Sequence, residues 1–289
     1  MCRLFAMTSA PERVHATFWL LDAQDSLTVQ SRREPDGTGL GYFQADGSPV
    51  IHKAPIAAYE DRAFAQAART VESSTFVAHV RYASTGGLSE RNTHPFCADG
   101  RMLAHNGVIE GLDKLEQHLG DAMSEVRGET DSERFFALVN KETKAAGGDV
   151  TEGLQAAARW VAANLPLFAL NVVMTTVEGM WALRYPDTHD LYVLDRQAGG
   201  HHRKRHLDQT GSGGRLRVRV EGLADLPSIV VASERLDEHP GWRLLRPGEL
   251  VHVRAGQQVT SRIALPDPPA NQLTLADLHP HAAASQGAA

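Results

Sequence analysis

Helical segments at 112–119, 131–143 and 150–163 follow one another with no strand between them, and the chain on either side reads almost wholly as strands. A sequence that keeps its helices together cannot thread them between parallel strands through its middle, so the elements must segregate into layers. This predicts an α+β fold with antiparallel sheets. Ahead of the helices, short strands are expected at 2–7 and 75–80, with a helix starting at Ser9-Ala10-Pro11 and running over 12–21, and an amphipathic helix at 61–72. Two hairpins complete that half: 39–44 with 50–53 about Asp46-Gly47, and 95–97 with 101–105 about Asp99-Gly100. Beyond the helices, 169–177, 180–185 and 191–194 read as an antiparallel meander, and strands resume at 216–220, 229–232 and 250–253. Pro266-Asp267-Pro268-Pro269 begins a tail whose last stretch, 279–289, is small and polar enough to be disordered; a domain over 2–255 is thus expected, followed by an extension over 256–289.

At 289 residues the chain has room for a core that buries about three quarters of its unfolded surface. Its net charge of -6 comes from 29 basic and 35 acidic residues that are well mixed, which gives no basic field for nucleic acid and no polybasic anchor for a membrane. The apolar run after Arg3 ends too soon for a secretory signal, and the longest apolar stretch, 167–174, is too short to span a bilayer and carries Asn171. Two cysteines, Cys2 and Cys97, make neither a disulfide framework nor a paired zinc site, which fits a reducing cytoplasm. Small-molecule chemistry is therefore the expected business of this chain.

Cys2 stands directly behind the initiator methionine. Once Met1 is removed, its thiol and a free α-amine belong to one residue, and the amine, with an ordinary pKa of about 7.7–8.0 against about 8.5 for the thiol, can take the thiol proton. The same residue is equally explained as an accident of the first codons, so partners must be sought downstream. Arg81 lies just past an apolar strand in a loop of small residues, where its planar guanidinium suits a carboxylate or pairs with a surface acid such as Glu90. Asn106-Gly107 is either a tight turn closing 101–105 against Val108-Ile109, or a pair of donors converging on a developing oxyanion. Thr130 or Asp131 caps the next helix, with Glu133 completing a capping box, and an acid there also suits a substrate ammonium. His79, His94 and His105 lack the helical spacing of a metal site, and no metal or other cofactor is expected. Cys97 is expected as a small buried hydrophobe, Gly211-Ser212-Gly213-Gly214 as a flexible loop, and His201-His202-Arg203-Lys204-Arg205-His206 as a solvated cationic tip.

Taken together, Met1-Cys2-Arg3, His79-Val80-Arg81-Tyr82-Ala83-Ser84, Asn92-Thr93-His94-Pro95-Phe96, His105-Asn106-Gly107 and Thr130-Asp131-Ser132-Glu133 resemble the class II glutamine amidotransferases. Val231-Ala232-Ser233-Glu234 and the run Gly241-Trp242-Arg243 through Pro247-Gly248-Glu249 are similar to the stand-alone members, among them the γ-glutamyl amidase of ergothioneine biosynthesis. The resemblance implies an amino-terminal nucleophile hydrolase, a four-layer αββα sandwich of two stacked antiparallel sheets between helices. It implies Cys2 as nucleophile, Asn106 and Gly107 as the oxyanion donors, Arg81 and Asp131 for the substrate α-carboxylate and α-ammonium, and Ser84 in the pocket lining. The expected reaction is hydrolysis of a γ-glutamyl amide through a Cys2 thioester. Thr85-Gly86-Gly87 departs from the Thr-His-Gly of the larger synthases, which puts a conjugate ahead of glutamine as substrate. Delivery of ammonia to a separate synthase, non-catalytic binding of a γ-glutamyl ligand and a homodimer all stay open. A cationic or aromatic leaving group would call for acids or rings such as Tyr42, Tyr82 or Trp242 at the rim.

Overall fold

The structure, a computed structural model, describes residues 1–197, 208–210, 217–219 and 226–287. The cationic run 201–206 and the glycine-rich 211–214 lie outside the described residues. The first half supplies β1 (Arg3–Thr8), β2 (Gly37–Phe43), β3 (Pro49–Ala54), α1 (Arg62–Thr70), β4 (Thr75–Arg81), β5 (Phe96–Ala98) and β6 (Arg101–Ile109). Three helices follow, α2 (Leu112–Leu119), α3 (Asp131–Ala145) and α4 (Val150–Asn164). Then come β7 (Pro166–Thr176), β8 (Gly179–Arg184), β9 (Tyr192–Arg196), β10 (Ser228–Ala232), β11 (Arg243–Leu244), β12 (Glu249–Arg254), β13 (Gln258–Ile263) and α5 (Pro280–Gly287).

Every residue of β1 is buried, so the strand needs cover on both faces. Its side chains alternate, as strand geometry requires. Phe5 and Met7 pack with Trp19, Phe64 and Phe76 under α1, whereas Leu4 and Ala6 meet Met102, Ala104 and Val173 of a second sheet. β1 thus lies at the centre of a seven-stranded sheet ordered β11-β9-β10-β1-β4-β2-β3. The second sheet runs β13-β12-β8-β7-β6-β5, with Asn271–Gln272 beside β7. Its outer face, through Leu103, Leu170, Val172 and Met174, carries Phe135 and Leu138 of α3 and Leu154 and Val161 of α4. The result is the four-layer αββα sandwich, and among the described residues the strand pairings within the two sheets are antiparallel apart from the short Asn271–Gln272 pairing.

Glycines in β2 set how closely the segment at 93–95 enters between the sheets. A Cβ on Gly39 would stand 1.8 Å from the His94 carbonyl oxygen, and one on Gly41 would stand 2.6 Å from Met102 Sδ. Any side chain there would push the sheets apart along the wall that carries Arg81.

Several elements differ from the sequence reading for definable reasons. The segment after Pro11 forms a two-residue strand at Val14–His15 and one wide helical turn at Phe18–Asp22, with Phe18, Trp19 and Leu20 all buried. β9 does not extend the β7-β8 meander; it crosses to the first sheet beside β10, where Val193 and Leu194 are buried against opposite cores. Asn106-Gly107 is not a turn, because β6 continues through it with Asn106 opposite Asn171 and Gly107 opposite Leu170. Glycine is needed there by close approach, since a Cβ would lie 1.8 Å from the Ala169 carbonyl oxygen. Cys97 is exposed, on an edge strand whose neighbouring Phe96 takes the core position. Residues beyond 255 continue the second sheet as β13, and Leu278 and Ala282 pack on Val108 and Phe168.

Gly39→Ala should lower the unfolding free energy by about 3 kcal/mol, the upper end of ordinary overpacking. Gly100→Ala, in the Asp99-Gly100 turn at φ 71° with open space around it, should lose only about 1 kcal/mol of backbone preference. Urea titration of both variants checks this, and equal losses would refute the close-approach account.

Candidate active site

Cys2 precedes β1 with the parity of Leu4 and Ala6, which turns it toward the second sheet. Its Sγ rests on the strand end of β4: the Tyr82 N–H donates to Sγ at 3.4 Å, and the thiol donates to the Tyr82 carbonyl at 3.3 Å. Burial pushes the thiol up to about 11, with Glu34 adding to the rise and the Tyr82 N–H, the chain amino group and Arg81 opposing it. With Met1 in place the group is a thiol at neutral pH.

The amino group of Met1 is held by Glu34, a fully buried carboxylate whose oxygens lie 3.1 and 3.2 Å away. Arg3, buried in turn, spans from Glu34 at 3.4 Å to Glu234 at 2.5 Å. Burial raises the Glu34 pKa against the pull of the amino group and Arg3. This acid lies in a polar connection with no periodic pattern, and sequence reasoning passed over it.

Arg81 ends β4 buried, within electrostatic reach of Cys2, Asp36, Asp131 and Glu129. Its guanidinium braces its own loop, donating to the carbonyls of Thr85 at 2.7 Å, Gly86 at 3.3 Å and Gly87 at 3.1 Å. Ser84 sits half-buried in that loop, next to Ala83, whose N–H is held by Asp36 at 2.9 Å. Asp131 closes the loop from the other side. Its Oδ1 accepts from Thr85 Oγ1 at 3.1 Å and from the Ser132 N–H and hydroxyl at 2.9 and 3.2 Å, and its Oδ2 accepts from the Ile109 N–H at 2.9 Å. Thr130 is the α3 cap, accepting from the Glu133 N–H at 3.2 Å, while the Glu133 carboxylate turns to the Gly128 N–H instead of closing a capping box.

Two further residues lash the loops together. Asn92 donates to the Gly87 carbonyl at 3.0 Å and to Glu129 at 2.9 Å, and its own oxygen accepts from the Glu129 N–H at 2.9 Å. Glu129 also accepts from the Gly87 N–H at 3.1 Å, and these bonds lower its pKa. Both residues stood within or beside the recognisable motifs, but sequence alone assigned them no task.

Asn106 shares the inter-sheet face of Met102 and Ala104, the face that Cys2 also turns toward. It is 1% exposed, and neither its side-chain nitrogen nor its oxygen has a hydrogen-bond partner. His79 and His94 lie nearby with ring centroids 4.2 Å apart and planes tilted by 40°; neither ring makes a hydrogen bond of good geometry, although the His105 backbone acts on His79. Burial, with Arg81 and His105 adding, brings His79 down to about 3, and burial likewise holds His94 well below its ordinary value. His105 faces the helical layer, between Ser132 Oγ at 2.9 Å and the Ala169 carbonyl at 3.3 Å. Among the described residues no group of three His, Cys, Asp or Glu is arranged to hold a metal. Tyr42 and Trp242 pack on the outer core of the first sheet, with the Trp242 indole bonded to Asp237 at 2.7 Å, so neither is a rim residue for a site between the sheets. No described helix is long and apolar enough to cross a membrane.

Comparison with known proteins agrees with this geometry. Residues 1–274 match the family model described as class-II glutamine amidotransferases. The Saccharomyces cerevisiae protein named "Probable glutamine amidotransferase DUG3" is 35% identical over 127 residues, which cover 39% of this chain and 36% of that protein. A solved glutamine aminotransferase class-II domain protein of Silicibacter pomeroyi superposes with a TM-score of 0.59 at 19% identity, over 92% of this chain and 100% of the other. The Bacillus subtilis glutamine phosphoribosylpyrophosphate amidotransferase gives 0.63 at 18% identity, over 92% of this chain and 50% of that one, so this chain spans about half its length. At these identities the two structures establish a shared fold, and the family model establishes kinship. This chain belongs to the class-II glutamine amidotransferases, enzymes of the amino-terminal nucleophile hydrolase fold.

Proposed function

We propose that the chain hydrolyses a γ-glutamyl amide through Cys2 after Met1 has been removed, releasing glutamate by way of a thioester. The observation that carries this reading is the side-chain amide of Asn106, buried between the sheets with no partner, on the face to which Cys2 turns. A buried donor left unpaired costs about 1–3 kcal/mol, which natural selection retains most readily where a ligand completes it.

In this reading the freed α-amine of Cys2 accepts the thiol proton and the thiolate attacks the γ-carbonyl carbon. A C–S bond forms, and the carbonyl oxygen takes up negative charge against Asn106 Nδ2 and the Gly107 N–H. Collapse breaks the C–N bond, with the α-ammonium returning its proton to the leaving nitrogen. Water then attacks the thioester, the same amine accepting its proton, and glutamate departs as the thiol reforms. The substrate α-ammonium group meets Asp131 at Oδ2, which accepts one bond where Oδ1 accepts three. The α-carboxylate meets Arg81 with Ser84 beside it. Arg81 gives three of its five N–H donors, one from Nη1 and two from Nη2, to the loop carbonyls, which leaves the Nε–H and one Nη1 hydrogen for that contact while the loop stays braced.

Glutamate release from a panel of γ-glutamyl amides tests the reading. Cys2→Ala should reduce it by about a thousandfold or more, and turnover that survives this change would defeat the proposal. Asn106→Leu should lower turnover by about a hundredfold to a thousandfold while leaving the melting temperature unchanged or raised, because it removes two unpaired polar atoms. A melting temperature that falls with activity would make Asn106 structural.

A chain whose Met1 is kept in place by an upstream tag should alkylate slowly at Cys2, since its thiol is pushed up to about 11. The iodoacetamide rate should climb about tenfold per pH unit and level off only near that value. The processed chain should react faster at neutral pH, and matching profiles would remove the amine from the mechanism.

A further inference from the structure

The proton that leaves the Cys2 α-ammonium during collapse goes to the departing nitrogen, so that nitrogen must lie against the Cys2 amine. The rest of the leaving group then runs into whatever space adjoins the amine. In this structure that space is marked by Met1, which is bonded to the Cys2 nitrogen. Met1 lines a cavity of about 550 Å³ together with Arg3, Asp190, Tyr192, Glu234 and Arg235. In the proposed mode the acyl half of the substrate is taken by Arg81 and Asp131, neither of which lines this cavity.

The charges around Met1, with those of the cavity lining, define what fits. Glu34, fully buried, answers two cations, the Met1 amino group at 3.1 and 3.2 Å and Arg3 at 3.4 Å. Arg3 is shared, for its other end reaches Glu234 at 2.5 Å. Removal of Met1 therefore leaves Arg3 as the one guanidinium paired with Glu34, shared with Glu234, while Arg33 pairs with Glu234 at 3.0 Å and Asp25 at 3.6 Å and acts on Glu34 only from farther off. On the opposite wall Asp190 accepts from the Tyr192 hydroxyl at 2.8 Å, and the Arg235 guanidinium lies 6.0 Å from the centre of the Tyr192 ring. Glu34 keeps Arg3, and the new amino group lies on Cys2, two carbons away from where the Met1 ammonium stood, so the place of that ammonium is left beside a buried carboxylate with no cation in it. The Met1 ammonium, two carbons from the Cys2 nitrogen, shows the position and polarity of the group that would supply one.

The geometry points to this cavity as the leaving-group subsite, with Glu34 selecting a leaving amine that carries a positive charge two to four carbons from the scissile nitrogen. The assignment rests on the Cys2 hydrolysis proposed above. It names a substrate class, a γ-glutamyl amide of a short amine bearing a second cationic group, in place of glutamine with its uncharged ammonia-derived amide. Glu34 would act as a specificity residue and would take no part in bond making.

The test uses processed protein, its loss of Met1 verified by intact mass, and three amides of similar size and different charge: γ-glutamyl-2-aminoethylamide, γ-glutamylpropylamide and γ-glutamylglycine. The cationic amide should exceed the neutral one in kcat/KM by about tenfold or more, with the anionic one lowest. Glu34→Gln should bring the cationic-to-neutral ratio to about one. Glu234→Gln, at a half-exposed position, should shrink the same ratio by leaving Arg3 wholly to Glu34, and it serves if Glu34→Gln fails to fold. Equal cleavage of all three amides by the parent enzyme would overturn the assignment. So would a loss of the same factor for every amide in Glu34→Gln, because Glu34 would then be the partner of the Cys2 amine. Turnover of glutamine with none of the three amides cleaved would also overturn the subsite while leaving the Cys2 mechanism standing. Absence of glutamate release from every γ-glutamyl amide would instead remove the hydrolysis reading beneath it.

Discussion

Asp131 is the carboxylate on which the geometry of the site depends. A buried anion must be matched by donors, and this one collects them from the end of β6, the first turn of α3 and the loop after β4. It also stands at a helix amino terminus, where the macrodipole favours negative charge. One side chain therefore fixes three segments far apart in the sequence. Thr85, held by it, presents a carbonyl to Arg81, and Asn92 and Glu129 fasten the far end of the same loop at Gly87. Replacing Asp131 would accordingly disturb the loop as well as any contact with substrate, and the two effects separate only when loop order is measured alongside affinity.

The space between the sheets shows a different economy. Most of it is apolar and tightly packed, through Leu4, Ala6, Val77, Met102, Ala104 and Val173. Toward the end occupied by Cys2 the packing gives way to polar groups that lack partners, namely His79, His94 and Asn106. Each such group is destabilising by about 1–3 kcal/mol relative to a paired or apolar replacement. The two histidines escape the larger penalty of buried charge by staying neutral, as their depressed pKa values require. Sites of chemistry are where a fold tolerates this kind of local loss, because the same unpaired groups are what a reacting molecule can engage.

Much of this architecture was legible in the sequence. α2 begins and ends where periodicity placed it, the Asp99-Gly100 hairpin forms with both residues at positive φ, and Arg81 terminates its strand beside a loop of small residues. These features are local, decided by side chains within a few positions of one another. What escaped was decided across the chain. Asn106-Gly107 has the chemistry of a turn, but the ladder with β7 overrides it and uses the glycine for the close approach of Ala169. β9 follows its neighbours in sequence and leaves them in space because β10 offers a partner buried on both faces. Glu34 has no local signature at all, and its meaning comes from the amino group 33 residues away and from Arg3 beside it.

The choice of base follows from the same burial that hides the nucleophile. A histidine base is the obvious alternative to an α-amine, and two imidazoles lie on the inter-sheet side. Burial that raises the Cys2 thiol also lowers the His79 imidazole, so it opposes proton transfer between them from both ends. An α-amine, with an ordinary pKa of about 8, is a far stronger base than an imidazole so lowered, and Arg81 favours the thiolate it would leave. While Met1 remains, the same nitrogen is a peptide amide and has no basicity to offer. In the proposed reaction the burial around Cys2 thus leaves its own amine as the base that fits, which would tie turnover to removal of a single residue.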